Sequence, residues 1–392
     1  MQLNLQSSLL TFLDISKKSD FKKPSSWPNI RNNAYSNSIR LLVDDRYPVG
    51  FIATVTGGYS VNIDGEHYDN YDTSAQFSMA DWSSYTDTEG YNIDYPTGAT
   101  KAHIIDIYPQ TEGNNITAFH CERVAASGDE EQGVLWAHFN ITNAININQC
   151  FSYVSPAKYR NKILKAVTAK NDVISLTSGY GFSGAFYYCE SLEYLPTLDG
   201  NNYNLSTYVV FGNCSSIKNI KMKNFNGFIS AQTFQDCINL EQVKTNFPIQ
   251  AGYRTFANNR KLKQLPEIAN SSATTDAYNF ITEAASLEDT SLDLSGYSKL
   301  TRLSCVGTSS NFMTGFKGLR VSNEAPFNSS TSPQINVSYT GMDRTALVQL
   351  FDDLPTVTDG QTISIVGCTG TNDLTADDKT IATDKGWSLI LQ

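Results

Sequence analysis

The sequence predicts a mainly β protein, with an N-terminal β-sandwich-like domain followed by a repeat solenoid and a small α/β cap. Three observations predict it. The 392 residues carry only 17% charged side chains but 34 asparagines, 21 tyrosines and 20 phenylalanines, a neutral-polar and aromatic balance that suits strands and turns more than long helices. Short runs of β-branched and aromatic residues, separated by Gly, Pro, Asn and Asp, fill much of the first 165 positions. An apolar pattern then recurs at spacings of 22–25 residues. At about 150 residues per domain, the length calls for two or three domains.

Residues 1–30 hold two lysine pairs, Lys17 with Lys18 and Lys22 with Lys23, and run into Trp27 and Pro28. They read as an extended attachment arm. Residues 31–165 read as the β-sandwich-like domain, with strands over 39–43, 51–56, 59–64, 103–108, 116–123 and 134–141. Turn residues bound them, such as Gly57 with Gly58 and Asp64 with Gly65, and no amphipathic helix interrupts them.

Residues 166–340 repeat. Phe186 is followed by Cys189, Leu192 and Leu195, and Phe211 by Cys214, Ile217 and Ile220. Phe234 brings Cys237, Leu240 and Val243, and Phe256 brings Asn259, Leu262 and Leu265. Phe280 opens a fifth, degenerate copy in which Leu287 has slipped by one; the anchor spacings are 25, 23, 22 and 24. One such unit cannot bury its apolar face alone, so these side chains are expected to stack on their counterparts in neighbouring coils of a leucine-rich-repeat solenoid. The Cys/Asn position is expected to face inward at a turn, where Asn can hydrogen-bond the turn backbone. Residues 341–392 read as the cap: a helix over 343–354 stopped by Pro355, a strand over 363–366, a second helix opened by Thr375 and Asp378 and closed at Gly386, and a last strand over 387–391.

The net charge of −10 argues against nucleic acid and anionic membrane surfaces as partners, because both are bound by clustered Lys and Arg. No apolar run approaches the roughly 18 residues of a membrane span, so no membrane insertion is expected. The first residues lack a basic region, and Asp14 interrupts their apolar stretch, so no signal peptide is expected. Seven scattered cysteines (Cys121, Cys150, Cys189, Cys214, Cys237, Cys305, Cys368) without a C-x-x-C pair point to free, buried thiols and away from a disulfide scaffold or a zinc site.

Motifs with chemistry are few. Gly179, Gly181 and Gly184 spell G-x-G-x-x-G but lead into the first repeat, which suits a tight turn better than a dinucleotide site. Residues 61–100 carry eight acidic groups and no Lys or Arg, interleaved with aromatic rings. Tyr68, Tyr71, Asp72, Trp82, Tyr85 and Tyr91 are the candidate ligand-binding residues: rings for the apolar face of a sugar, carboxylates for its hydroxyls. Asp64, Glu66, Asp69 and Asp72 also carry calcium-type oxygens, although their spacing departs from the EF-hand loop. His103, His120 and His138 fall in expected strands, where packing is their ordinary role, and neither G-x-S-x-G nor H-E-x-x-H occurs. No catalytic residue, cofactor or metal is expected. Seven N-x-[ST] sequons are what 34 asparagines among many Ser and Thr yield by chance.

The F-x-x-C-x-x-L-x-x-L units over about 170–392, with the tail LTADDKTIATDKGWSLIL, resemble BspA-type leucine-rich repeats of bacterial surface proteins and of the phages that infect those bacteria. Residues 35–120, including LLVDDRYPVGFIATVTGG, are similar to N-terminal regions of phage tail proteins. The resemblance implies a bacteriophage virion protein, made in the host cytoplasm and exposed on the particle. It would be a tail or fibre adhesin that binds other virion proteins through its N-terminal region, assembles as a homo-oligomer such as a trimer, and takes a host glycan or protein as receptor. A purely architectural virion protein, a bacterial surface adhesin and a polysaccharide depolymerase are the alternatives it leaves.

Overall fold

The computed structural model describes residues 21–32, 35–95, 98–124, 130–152, 159–177, 182–203, 208–226, 231–269, 271–358 and 360–392. The chain is mainly β, 36% strand and 8% helix, and winds a β-solenoid of about 9 turns. It divides into two compact units, Met1–Gly227 with Lys244–Phe247, and Phe228–Val243 with Pro248–Gln392.

In the first unit β1 (Ser38–Asp44), β2 (Val49–Val55), β3 (Tyr59–Ile63), β4 (Glu66–Tyr71), β5 (Gln76–Met79), β6 (Tyr91–Asp94), β7 (Ala99–Pro109) and β8 (Ile116–Cys121) precede β9 (Glu130–Glu131), β10 (Val134–Asn140), β11 (Tyr159–Arg160) and β12 (Ala166–Ala169). One sheet runs β12-β10-β1-β7-β3-β4 with β6 added to β7; another runs β5-β2-β8. The central strands of the first sheet, β1, β3 and β10, are buried on both faces. On one, Phe119 of β8 packs edge-on to Phe139 of β10 at 6.0 Å, and Phe51 of β2 reaches Tyr59 of β3 at 6.3 Å. On the other, Leu42 lies opposite Trp136 in the β1–β10 register and opposite Ile104 in the β1–β7 register. Phe21, Trp27 and Ile30 close over these three residues. Phe21, Trp27 and Ile30 are therefore core, so residues 21–30 lie against the sheet and are not an extended arm: an apolar face with Trp136 at its centre needs a cover, and three large apolar side chains within ten positions supply it. Residues 1–20 of the expected arm lie outside the described residues, as do Gly179 and Gly181 of the glycine motif.

The repeats fold as stacked turns. The amide of Cys189 donates to Phe186 O at 3.0 Å and that of Leu192 to Cys189 O at 3.1 Å, so F-x-x-C-x-x-L is two consecutive three-residue turns with its apolar residues pointing inward. Phe186, Cys189, Leu192, Phe211, Cys214, Ile217 and Ile220 are fully buried, and Leu195 nearly so. Rings in register stack, Phe186 on Phe211 at 5.6 Å and 3°. Alternate amides rise to the next coil: Gly184 to Tyr208 O, Phe186 to Val210 O and Tyr188 to Gly212 O, at 3.0, 3.0 and 2.8 Å. The same ladder starts upstream of the spaced motif, with Phe151 N donating to Ala185 O at 2.9 Å. Strands β13 (Val173–Ser175), β14 (Thr197–Asp199) and β15 (Asn219–Lys223) pair in parallel along these coils.

In the second unit Phe234, Cys237, Leu240, Phe256 and Leu262 are again fully buried and Val243 nearly so, whereas Leu265 lies outside the buried set. After β16 (Gln242–Thr245) come β17 (Phe256–Ala257), β18 (Asp276–Thr282), β19 (Thr290–Leu294), β20 (Arg302–Val306), β21 (Phe316–Val321), β22 (Ile335–Asn336), β23 (Thr362–Ser364) and β24 (Ser388–Ile390). One parallel sheet runs β17-β18-β20-β22-β23-β24, and β19 pairs β21. The fifth repeat anchors on Ile281, not Phe280: Ile281 lies opposite Phe256 in the β17–β18 register, and from it Ala284 and Leu287 fall at the regular offsets of three and six, with Leu287 N donating to Ala284 O at 3.2 Å. Helix α1 (Arg344–Asp353) is capped by Asp343, whose carboxylate accepts from Ala346 N at 2.9 Å. Helix α2 (Ala376–Thr383) opens on the expected capping box of Thr375 and Asp378. Among the described residues no helix is long and apolar enough to cross a membrane.

Candidate functional site

The acidic–aromatic segment of residues 61–95 folds onto the edge of the first unit's larger sheet, and its anchor is the hydrogen bond between Asp64 and His103. Asp64 occupies the turn between β3 and β4 at φ 51° and points inward. Its Oδ2 meets His103 Nδ1 at 2.7 Å and the Thr88 hydroxyl, while Oδ1 accepts from Ile104 N at 2.7 Å. Burial pushes this carboxyl up, but the bonds from His103, Thr88 and the Ile104 amide together outweigh it and hold Asp64 below the usual carboxylate range. Trp82 lies flat on the His103 ring at 4.6 Å and 2°, and Tyr85 meets that ring edge-on at 5.5 Å.

The six candidate residues fall into distinct environments. Trp82 is buried, 5% exposed, with one face taken by His103, so it offers no free ring to a sugar. Tyr85 touches Trp82 at 6.0 Å and Tyr68 at 6.2 Å, which joins the three rings into one chain. Tyr68 is the exposed end of that chain, at 39%. Tyr71 stacks on Tyr59 at 5.1 Å and 14°, and burial raises its hydroxyl's pKa. Tyr91 is exposed on β6, and Asp72 is exposed in the turn after β4. The structure therefore brings Tyr68, Tyr85 and Trp82 together and leaves Tyr91 and Asp72 outside the ring chain. Of the calcium-type oxygens, Asp64 is committed to His103, whereas Glu66, Asp69 and Asp72 are exposed. Among the described residues no group of three or more His, Cys, Asp or Glu is placed to hold a metal ion.

A second concavity had no local signal in the sequence. Tyr35, Tyr108, Gln110, Glu112 and Asn114 line a cleft of about 280 Å³. Tyr35 and Tyr108 stack at 3.9 Å and 1°, and Asn62 joins their hydroxyls: its Nδ2 donates to Tyr35 Oη at 2.7 Å, and Tyr108 Oη donates to its Oδ1 at 2.9 Å. Gln110 Nε2 donates to Tyr59 O and Tyr71 O at 3.1 and 3.0 Å, and Asn114 Nδ2 donates to Thr56 O at 2.6 Å. The cleft presents neutral donors and acceptors and the Glu112 carboxylate beside ring surface, groups that suit hydroxylated ligands. Tyr35 and Tyr108 are 73 positions apart, a separation no spacing rule detects.

The remaining titratable groups serve packing. His138 on β10 is buried against Thr168, 2.9 Å from its hydroxyl, and burial together with Arg31 and Arg40 lowers it to about 4. All seven cysteines are free and buried, and burial raises the Cys121 thiol to about 12. Comparison with protein-family models, curated proteins and solved structures finds no match.

Proposed function

We propose that this chain is a non-enzymatic bacteriophage virion protein, a tail or fibre component that attaches to the particle through its N-terminal region and binds the host surface through its solenoid. In this reading the two facing sheets of the first unit act as a sandwich-like body, the coils are leucine-rich in type, and residues 341–392 cap them. Homo-oligomers, taken here as trimers, would multiply weak single-site contacts.

The observation that carries the reading is the solenoid surface. The spaced Phe, Cys and Leu or Ile of each coil are spent inside, and many turns present neutral amides and hydroxyls beside exposed Tyr208 and Ile238. Asn224 N donates to Asn246 Oδ1 at 2.8 Å and Asn246 Nδ2 to Asn224 Oδ1 at 3.1 Å. In the other unit, Thr282 Oγ1 donates to Asn258 Oδ1 at 3.1 Å. A rigid array of preset donors and acceptors loses little entropy on meeting a hydroxyl-rich receptor. The test is adsorption: soluble protein should compete with phage for host cells in a dose-dependent way. Unchanged adsorption at saturating protein would refute receptor binding and leave an architectural role.

A further inference from the structure

The second unit holds a cluster of cation and phenol groups that the fold does not use. Tyr253 and Tyr278 occupy neighbouring coils with rings 6.3 Å apart and 23° from parallel. The Arg302 guanidinium lies 4.5 Å from the Tyr278 ring and 5.8 Å from that of Tyr253, and is held by Asp276 through two bonds of 2.9 and 2.7 Å. Arg254 lies over Tyr253 at 5.2 Å. Its backbone takes φ 53°, and its Nε is buried without a hydrogen-bond partner.

Arg254 differs from most of the chain's arginines and, like Arg123, keeps a buried guanidinium nitrogen without a partner. Arg40, Arg46, Arg260, Arg302, Arg320 and Arg344 each pair with a carboxylate. Arg254 has no acidic partner among the described residues, and Gly184, Val209 and Gln232 fill the same place, two residues before the repeat Phe, in other coils. The positive φ is common to that column, 64° at Gly184, 46° at Val209 and 63° at Gln232, and belongs to the turn; the unsatisfied buried N–H is particular to Arg254 within it and calls for a partner the chain itself does not supply. Arg254 and Arg302 against Asp276 leave one net positive charge. Tyr253 and Tyr278 add two phenols without hydrogen-bond partners among the described residues. Gln232, whose backbone amide donates to Tyr253 O at 2.9 Å, carries a side-chain amide on the adjacent coil, its Nε2 donating to Gln235 Oε1 at 2.8 Å and its oxygen adding a neutral acceptor.

We propose that Arg254, Arg302, Tyr253 and Tyr278 form a subsite for the carboxylate-bearing sugar of an acidic glycan, resting on the reading of the solenoid as a receptor-binding surface. Guanidinium pairs carboxylate with directed, charge-assisted bonds. The phenols and Gln232 suit the ring hydroxyls, and the tyrosine bodies suit the sugar's apolar face.

The test measures binding of the full chain to sialyllactose and to oligogalacturonate, with lactose and the carboxyl-reduced oligomer as neutral counterparts and polyglutamate as an acidic non-sugar. At least one acidic sugar should bind about tenfold or more tighter than its neutral counterpart and than polyglutamate. Arg254→Gln, which places in this coil the residue of Gln232, should remove that difference at an unchanged melting temperature; Tyr278→Phe should weaken it. Equal binding of acidic and neutral forms, equal binding of polyglutamate, no binding of any probe, or an unaffected Arg254→Gln variant would each overturn the subsite. Phage adsorption separates the two claims. If wild type and Arg254→Gln compete equally, the subsite falls and the receptor role stands; if acidic sugars bind through Arg254 while wild type does not compete, the reverse holds.

Discussion

Asp64 and His103 form the contact on which the arrangement of the acidic–aromatic segment turns. Asp64→Asn keeps a residue that tolerates φ 51° but replaces the carboxylate that receives His103, Thr88 and the Ile104 amide. It should cost about 3 kcal/mol in urea unfolding at pH 7. Because this carboxyl lies below its usual range in the folded chain, its contribution is present above that range and fades as the pH falls through the folded value; the variant's deficit should shrink correspondingly in strong acid. His138 acts in a higher window. Its folded value of about 4 lies below the roughly 6.5 of an unfolded histidine, so the unfolded chain takes up the proton first as pH falls. The resulting stability is complete above about pH 6.5 and is lost toward pH 4, up to about 3 kcal/mol in all. His138→Gln should flatten the stability–pH curve between those limits; an unchanged slope would place the acid sensitivity elsewhere.

The repeated turn has one flawed member. Cys214 Sγ donates to Phe186 O at 3.0 Å, so in that coil the thiol column is bonded as well as packed. Asn259 takes the same place in its own coil, where a hydrogen bond to the turn backbone was expected; instead it is fully buried and neither its Oδ1 nor its Nδ2 has a partner. Asn259→Cys should therefore stabilise the chain by about 1 kcal/mol, read as a rise in the denaturant midpoint. The four regular copies were legible because inward residues three apart and coils 22–25 apart leave both periods in the sequence. The upstream coils were not: Phe119, Phe151 and Phe186 are separated by 32 and 35 residues, and Cys150 precedes its Phe instead of following it. Residues 21–30 hid their role because their partners, Leu42 and Trp136, lie far along the chain. For the candidate site, the sequence located the rings but not their depth: Trp82 opens a short 3-10 turn that tucks it under His103, whereas Tyr68 sits on the edge strand β4 with its ring in solvent.

Across the whole chain, seven thiols are sealed in apolar surroundings. A thiol reagent should label none of them in the native protein and all seven once it is unfolded, and reductant should leave the melting temperature unchanged. Stability in such an array is a sum over coils and their neighbours, so the units are expected to melt over a broader range than one cooperative domain. The same modularity bears on how such a molecule changes over generations. The Phe anchor is kept at 186, 211, 234 and 256, while the position three residues earlier, at least partly exposed in each coil, holds Ser, Tyr, Ala and Tyr in turn. Inside and outside are thus written in separate columns of the alphabet. Drift, or recombination between coils, can rewrite what the surface meets one line at a time, and the core need never be consulted.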